Sequence, residues 1–282
     1  MSIVKAQKYV PVLDAKLKQR VKTSVFDSTD KYEYIDKAGT FLVATRSFEG
    51  LADYDRAQGY NKTSVNVDWD SYSINYDRGR MIVVDERDNE EAAGMAYLGL
   101  AGDFIDYKVG PEVERVHIKN YAGATGVHSV ESTITTGVEA VAALRAGVDY
   151  SLNKYNDLSD SYLLINVTNK GLIEDMDSYK SKAVLAPFGD RILTFADTDL
   201  VDDVTLTAGG FTTPVTAKAI NFMIVPKQAV IQITTHVAPK IVTPEVNQDA
   251  DAYEFGYRLT GLNEIFAEKA EYIYVDKVAA GE

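Results

Sequence analysis

The sequence "YDRGRMIVVDERDNEEAAGMAYLGLAGDFIDY" occupies residues 76–107. An apolar strand pattern leads through a run of acidic residues into a long segment rich in Ala, Gly and Leu. The acidic run has two interpretations: a group of catalytic or metal-binding carboxylates, or the first turn of a helix whose dipole it complements. The two interpretations predict different classes of protein, an enzyme or a structural subunit.

The spacing of the residues favours a helix start. Asp88 and Glu91 stand three positions apart, as in a capping box with Asp in place of Ser or Thr. Apolar and small residues then follow at spacings of three and four, on one helical face: Met95, Leu98, Gly102, Ile105 and Val109. We therefore predict a long helix from Asp88 to about Tyr121, kinked or broken at Gly110 and Pro111.

The residues before this helix have the pattern of a long hairpin. Val65, Val67 and Trp69 alternate with polar residues, which is typical of a strand, and a second strand pattern begins at residue 40. After Trp69 the apolar positions change phase, which predicts a bulge. A two-stranded hairpin is marginally stable alone in water, so it must lie on its own domain or on a neighbouring subunit.

The remaining elements alternate between helix and strand. The first 35 residues form an arm with a weak helical pattern: Val10, Leu13, Leu17 and Val21. After the long helix we predict a helix over 136–153, a buried strand over 162–168, a short helix within 169–180, short strands and loops over 182–217, apolar strands over 219–245 and two C-terminal strands.

Composition indicates a globular chain. Of 282 residues, 46% are hydrophobic and 25% charged, which is close to average usage. No segment approaches the roughly 18 consecutive apolar residues that a membrane-spanning helix needs. The N-terminal residues mix Lys and Arg among apolar positions, unlike a signal peptide. We therefore expect no membrane partner and a protein that stays in the cytoplasm where it is made.

The residue types needed for most catalytic chemistry are missing or scattered. The chain has no cysteine, which excludes disulfides and thiolate sites. Its three histidines, His117, His128 and His236, lie far apart and outside any metal-ligand spacing. The net charge of −13 argues against a groove that binds nucleic acid. We predict no catalytic, cofactor-binding or metal-binding residue.

Two acidic clusters keep alternatives open. The first could supply a glycoside hydrolase with its two carboxylates or bind Mg²⁺: Asp85, Glu86, Asp88, Glu90 and Glu91. The second resembles a calcium loop but lacks the Gly and the final Glu of an EF-hand, which favours a solvated loop: Asp197, Asp199, Asp202 and Asp203. A carboxylate-dependent glycoside hydrolase therefore stays as an alternative.

Two stretches carry a family resemblance. "DRGRMIVVDERDNEEA" leads from a hairpin into a long helix, and residues 219–275 give a strand, a "KQAV" turn, a Pro corner, an aromatic-rich strand and "YIYV". In this order the chain resembles the major capsid proteins of tailed bacteriophages, whose Hong-Kong-97-like fold is shared with encapsulins. The resemblance implies an α+β fold with an arm at 1–35, an extended hairpin (E-loop) at 36–84, a peripheral domain with a spine helix at 85–121, an axial domain at 122–219 and return strands at 220–282.

The resemblance also implies a function. Capsid subunits are not enzymes; they assemble as hexamers and pentamers into an icosahedral or prolate shell around double-stranded DNA, in the cytoplasm of the host bacterium. An acidic inner wall would let DNA pack without sticking. The chain has no room for an N-terminal scaffolding segment, so we expect a separate scaffolding protein, and a portal, as partners. An encapsulin-like shell that encloses an enzyme is the alternative.

Several residues are candidates for subunit contacts. The basic stretch 16–22 suits an acidic neighbour, as do the arginines at the hairpin base. Trp69 is predicted to anchor the packing of the hairpin. The resemblance implies that Lys62 lies in the loop that cross-links in some relatives, with no identifiable partner here. The predicted interface residues are Lys16, Lys18, Arg20, Lys62, Trp69, Arg78 and Arg80.

Overall fold

The computed structural model describes residues 2–27, 34–35, 40–47, 49–54, 56, 59–60, 62, 64, 66–85, 87, 100–237, 240–247 and 249–279. Its helices are α1 (Ser2–Arg20), α2 (Leu100–Phe104), α3 (Gly110–Gly123), α4 (Gly137–Tyr155), α5 (Val167–Asp175) and α6 (Tyr179–Leu185). Three 3-10 turns (Lys22–Phe26, Lys227–Ala229, Ala267–Tyr272) and one π-helical turn (Ile105–Val109) accompany them.

Fourteen strands complete the described residues. They are β1 (Tyr34–Ile35), β2 (Thr40–Ser47), β3 (Asn66–Ser73), β4 (Tyr76–Asp85), β5 (His128–Ser132), β6 (Ser161–Asn166), β7 (Ile192–Phe195), β8 (Thr205–Thr207), β9 (Gly210–Thr212), β10 (Ile220–Pro226), β11 (Val230–His236), β12 (Lys240–Val242), β13 (Ala252–Ile265) and β14 (Tyr274–Val278). Below, the arm denotes residues 2–27, the hairpin residues 40–73, and the spine helix residues 100–123.

A five-stranded mixed sheet forms one half of the subunit, in the order β5-β14-β10-β6-β7. Every residue of the central strand β10 is buried. Such a strand is covered on both faces, which explains why all of its residues except Asn221 are apolar. Helix α4 lies against the sheet at Gly147, where a Cβ would come within 3.0 Å of the Tyr274 ring and 3.1 Å of the Phe222 ring.

A second sheet is built around the long strand β13. β13 pairs with β4 along one side, from Ala252↔Asp85 to Gly261↔Tyr76, and with β11 and β12 along the other. Apolar side chains of the arm and of the spine helix fill one core with residues of β13: Leu13, Leu17, Val21, Ile105, Val109, Val113, Phe255, Tyr257 and Leu259. The arm therefore packs on the rest of its own chain.

The hairpin differs from the sequence prediction at one point. β2 and β3 pair without a break from Thr40↔Ser73 to Ser47↔Asn66, so the predicted bulge after Trp69 is wrong. The change of phase instead marks a change of sheet. Tyr72 contacts the ring of Phe266 edge-on. Two residues after the end of β3, the chain enters β4, which pairs with β13.

The spine helix does not break at Gly110 and Pro111. Gly110 is helical, at φ −55° and ψ −54°, and its N–H bonds to the Ile105 carbonyl five residues back. Pro has no N–H to offer the preceding turn, so a π-helical turn next to it accommodates the missing donor. The predicted helix start at Asp88 lies outside the described residues.

Local signals placed the later helices well. Helix α4 begins with a capping box, in which Thr136 accepts from the Glu139 N–H and the Glu139 carboxylate accepts from the Thr136 N–H at 3.0 Å. The predicted strand over 162–168 ends early, because the Asn166 side chain accepts from the Asn169 N–H and caps α5. The short helix predicted within 169–180 corresponds to α5, and a second helix, α6, extends into the stretch from residue 182 that was predicted to hold only short strands and loops. No described helix is long and apolar enough to cross a membrane.

Docking of the arm on its own subunit can be measured. Leu17 is 4% exposed in the core between arm, spine helix and β13. Replacing Leu17 with Ala should lower the free energy of unfolding by about 2–5 kcal/mol through the cavity it leaves. Val12, on the same helix, is 64% exposed, and Val12→Ala should stay within about 0.5 kcal/mol of the parent in urea titrations. Equal effects of the two substitutions would contradict the docking.

Candidate assembly surfaces

The hairpin exposes apolar side chains that its own subunit does not cover. Trp69 is 51% exposed and Val67 46%. They lie two residues apart on β3 and therefore on one face, while Asp68 and Asp70 occupy the other. Trp69 was predicted to anchor the hairpin by packing, and within this chain it stays half exposed. Clustered exposed apolar side chains are typical of sites that contact another protein.

A second exposed apolar pair lies on β4. Met81 is 42% exposed and Val83 55%, on one face of the strand, whereas Ile82 on the other face packs against the core of arm and spine helix. The outer face of the second sheet therefore carries two apolar side chains in a row. Together with Val67 and Trp69 they give the subunit two apolar sheet faces directed to its surface.

The base of the hairpin is tied to the spine helix by a buried carboxylate. Glu112 is 7% exposed; its Oε1 lies 2.7 Å from Arg78 Nε and accepts a 2.8 Å bond from the Tyr76 hydroxyl. Arg78 Nη2 also donates to the Thr207 and Gly210 carbonyls, at 2.7 and 3.1 Å. Arg80 donates to the Ala208 carbonyl at 3.3 Å. Both arginines thus have partners in their own chain, and their contact with another subunit stays a prediction.

Gly79, between the two arginines, allows β4 to approach β13 closely. A Cβ at this position would lie 2.8 Å from the Tyr257 carbonyl oxygen, closer than side-chain carbons come to backbone. Only glycine fits there without a shift of the strand. This residue fixes the two arginines in place, and the sequence pattern gave no reason to single it out.

A second buried carboxylate holds the arm. Glu114 Oε1 accepts from the Lys22 N–H at 2.5 Å, and Oε2 lies 3.7 Å from Arg20 Nη1. Burial raises the pKa of Glu114. Lys16 pairs with Asp106 of the spine helix at 3.0 Å, whereas Lys18 is exposed. Lys16 and Arg20 therefore bind acids of their own chain, and a contact to a neighbouring subunit remains a prediction.

The arm also meets two buried histidines. His236 Nδ1 lies 2.5 Å from Asp14 Oδ1, and its Nε2 lies 2.6 Å from the Tyr257 hydroxyl. His117 Nδ1 lies 2.8 Å from Thr23 Oγ1, and burial lowers the pKa of His117 to about 3. Burial also lowers the pKa of His236, against the opposite effect of Asp14. Both rings are therefore neutral at pH 7 and fasten the arm to the body.

The acidic loop before β8 forms ion pairs with its own chain. Asp199 binds Arg115, and Asp203 Oδ1 lies 2.9 Å from Lys119 Nζ, one helical turn further along the spine helix. Asp202 pairs with Lys277 at 2.9 Å. Of the loop that was expected to be solvated, Asp197 is exposed, and the paired side chains of Asp199 and Asp203 are 35% and 43% exposed. The expectation misses the ion pairs that dock the loop on the spine helix and on β14.

The remaining chemical hypotheses concern a metal site, the first acidic cluster and Lys62. Among the residues that the structure describes, no three His, Asp or Glu side chains are grouped as a metal ion would require. Of the first acidic cluster, only Asp85 is described, and its carboxylate accepts from the Arg87 N–H at 2.9 Å. The other four lie outside the described residues, so the glycosidase alternative has no geometry to test. Lys62 is exposed in the connection between β2 and β3.

Sequence reasoning missed Glu112 and Glu114. A signal was present, since Glu112 falls on the apolar face of the spine helix with Val109 and Val113. A charged residue on a buried apolar face needs an ion-pair or hydrogen-bond partner, or its charged group has to reach the solvent. Its partners, Tyr76 and Arg78, lie more than 30 positions away, and no spacing rule identifies them.

Comparison with known proteins identifies the fold. No protein-family model and no curated protein sequence matches the chain. Solved structures do: the mature capsid of bacteriophage PhiM1 (TM-score 0.61, 10% identity) matches 88% of this chain and 84% of its own. The capsid of the cyanophage P-SCSP1u (0.59, 11%) covers 88% and 86%, and the virus-like particle from Pyrococcus furiosus (0.59, 13%) covers 95% and 97%. The predicted Hong-Kong-97-like α+β fold is confirmed.

The role of Glu112 predicts that its buried ion pair contributes more to the free energy of unfolding than a surface ion pair does. Glu112→Gln keeps an oxygen for the Tyr76 hydroxyl but leaves the Arg78 charge without its buried counter-ion, and should cost about 1–3 kcal/mol of unfolding free energy. Glu131 pairs with Lys218 at the surface, so Glu131→Gln should cost less than about 1 kcal/mol. Urea denaturation of both variants compares them. A Glu112→Gln variant as stable as Glu131→Gln contradicts the anchoring role.

Asp27, at the end of the arm, predicts a pH dependence. Burial raises the pKa of Asp27 to about 6, against the effects of Gln232 and Lys18. The unfolded carboxyl titrates near 3.9, so between about pH 4 and 6 the folded protein alone holds the proton. The stability contribution of Asp27 therefore grows as the pH falls through about 6 and is complete below about 4.

Asp27→Asn keeps the oxygen that accepts from Gln232 and removes this titration. The stability of the variant relative to the parent should rise by about 1–3 kcal/mol between pH 4 and pH 7. Urea titrations at several pH values measure the difference, in which the other titrating groups common to both proteins, His117 included, cancel. A difference that does not change with pH shows that Asp27 is not buried as described.

Proposed function

We propose that the chain is a major capsid protein, whose copies assemble as hexamers and pentamers into the icosahedral or prolate head shell of a tailed phage. The observation that carries the proposal is the half-exposed Trp69 beside Val67 on strand β3 of the hairpin, in a fold shared with the solved capsids. A subunit that keeps such a face uncovered gains about 25 cal/mol for each Å² of it that a neighbour buries.

The proposed division of the chain follows the resemblance. Residues 1–35 act as the arm, 36–84 as the E-loop and 85–121 as the part of the peripheral domain that contains the spine helix. Residues 122–219 form the axial domain, and 220–282 return to complete both domains. The E-loop contributes Lys62 and Trp69 to subunit contacts, the arm contributes Lys16, Lys18 and Arg20, and the hairpin base contributes Arg78 and Arg80.

The proposed partners follow from assembly and charge. The shell encloses double-stranded DNA without sequence-specific binding, a role that the net charge of −13 suits because it repels phosphate. A separate scaffolding protein and a portal take part in assembly in the host bacterial cytoplasm, and the product is the virion capsid. The chain has a structural role and carries out no catalysis.

An encapsulin-like shell is the second candidate. It is favoured by the match to the virus-like particle from Pyrococcus furiosus, which covers 95% of this chain and 97% of that chain. The two candidates differ in what assembly requires. A phage capsid protein needs its scaffolding protein for shells of one size, whereas an encapsulin-like protein closes alone and co-purifies with an enclosed protein.

Electron microscopy tests the proposal. Negative-stain images of the purified chain, alone and co-expressed with a candidate scaffolding protein, should show shells or rings of five and six. Regular closed shells from the chain alone that contain a second protein would favour the encapsulin-like candidate. A monodisperse monomer in both preparations would overturn both candidates.

The hairpin surface can be tested in the same assay. Trp69→Ser removes the exposed ring and should reduce the yield of shells or rings at least tenfold without lowering the melting temperature. Asp68→Ser changes the neighbouring residue on the opposite face of β3 and should leave the yield within twofold. Equal yields from the two variants would show that the Trp69 face is not an assembly contact.

A further inference from the structure

The arm and the hairpin meet at one pair of buried amides. Gln232 on β11 stands directly opposite Asn263 on β13, and the residues are 0% and 2% exposed. Asn263 Nδ2 donates to Gln232 Oε1 at 2.7 Å, and the Tyr121 hydroxyl of the spine helix donates to the same oxygen. A polar pair inside a sheet is costly unless its hydrogen bonds are made. The Gln232 amide has partners at both its oxygen and its nitrogen, whereas the buried Asn263 Oδ1 has none among the described residues.

One side of this pair holds the arm. Gln232 Nε2 donates to the Thr23 carbonyl at 2.9 Å and to Asp27 Oδ1 at 2.8 Å. Both hydrogens of the amide are therefore used on the segment that follows α1. Since one planar group carries Nε2 and Oε1, any rotation that follows the arm also moves the oxygen that Asn263 and Tyr121 bind.

The other side holds the hairpin. Asn75 lies in the two-residue connection between β3 and β4, where the hairpin leaves the second sheet. Its Nδ2 donates to the Asn263 carbonyl at 2.8 Å, and its Oδ1 accepts from the Asn263 N–H at 3.1 Å. The Asn75 N–H donates to the Gly261 carbonyl at 3.2 Å. The hairpin is thus bound to the backbone of the residue whose side chain binds Gln232.

We propose that Gln232 and Asn263 couple the arm to the hairpin, so that displacement of either protrusion loosens the attachment of the other. The path has three steps, from Asp27 and Thr23 to Gln232, from Gln232 to Asn263, and from Asn263 to Asn75. The middle step joins two buried side chains, and water cannot replace it without entering the sheet. At its two ends Asp27 is partly buried and Asn75 is exposed, but the Gln232 amide and the Asn263 backbone that they bind belong to buried residues. A buried group left without its partner costs about 1–3 kcal/mol, enough to shift the attachment of a surface segment.

The coupling has a consequence that rests on the proposed function. In a shell, the arm and the hairpin would both contact neighbouring subunits, so a subunit whose arm is displaced would present a loosened hairpin. The coupling itself is a property of one chain. It can be measured on unassembled protein whether or not shells form.

Hydrogen exchange of the full-length, unassembled chain tests the coupling from the hairpin side. Asn75→Ala removes a side chain that does not contact the arm, and exchange of amides in residues 13–26 should rise at least fivefold. Asp77→Ala is the matched control, because Asp77 lies two residues on and pairs with Arg258 at the surface. It should leave arm exchange within twofold of the parent.

The reverse experiment uses the reciprocity of coupling. Asp27→Ala should raise exchange in residues 66–75 at least fivefold, whereas Lys16→Ala, which removes the arm contact to Asp106, should leave it within twofold. Exchange confined to the altered protrusion in both experiments overturns the proposal.

Global stability is controlled within the same data. All rates are read against the buried strand Ser161–Asn166, which lies in the other sheet. If either Ala variant raises exchange there equally or fails to fold, Asn75→Ser and Asp27→Ser replace it under the same criterion. If hydrogen exchange shows no coupling, the proposal of shell assembly still stands. If the chain does not assemble, hydrogen exchange can still test the coupling.

Discussion

Two carboxylates on one helix have to be paired because they are buried. Glu112 and Glu114 are 7% and 4% exposed at the start of α3. A carboxylate in that position is stable only with charged or donating partners. Glu112 takes them from the hairpin base, in Arg78 and Tyr76, and Glu114 from the arm, in Arg20 and the Lys22 N–H. The spine helix therefore binds the arm and also β4, the strand that follows the hairpin, through residues at least 34 positions apart in sequence.

Local rules explain which elements were predictable. The helix predicted over 136–153 and observed over 137–155 was found because its apolar period is a short-range signal. Its capping box, Thr136 with Glu139, is also short-range but was not used in the prediction. Strand β10 was found because burial on both faces favours the apolar run from Phe222 to Pro226. The phase change after Trp69 was misread because a bulge and a change of sheet look alike in sequence. Only the contact of Tyr72 with Phe266, almost 200 residues away, separates them.

The candidate assembly surfaces also have features that the sequence could predict and features that it could not. Exposure of Trp69 could not be read from a strand pattern, since the same alternation describes a strand packed on its own domain. The basic residues of the arm suggested an acidic neighbour, and the structure supplies acids within the chain: Asp106 for Lys16 and Glu114 for Arg20. Sequence reveals charge complementarity but not whether the partner belongs to the same copy, because that depends on the distance after folding.

Because these charged residues are already paired within the chain, they are less able to drive association than the exposed apolar residues are. Arg78 would have to leave Glu112, or bring it along, before binding a carboxylate of another copy, and a buried acid left behind is costly. The apolar face of Val67 and Trp69 carries no such cost, because it is solvated within its own subunit. Association through the Val67 and Trp69 face of β3 would therefore gain the burial free energy without breaking the ion pair between Arg78 and Glu112. In the proposed shell, each copy would therefore present the same apolar face of β3 while its charged pairs stay within the chain.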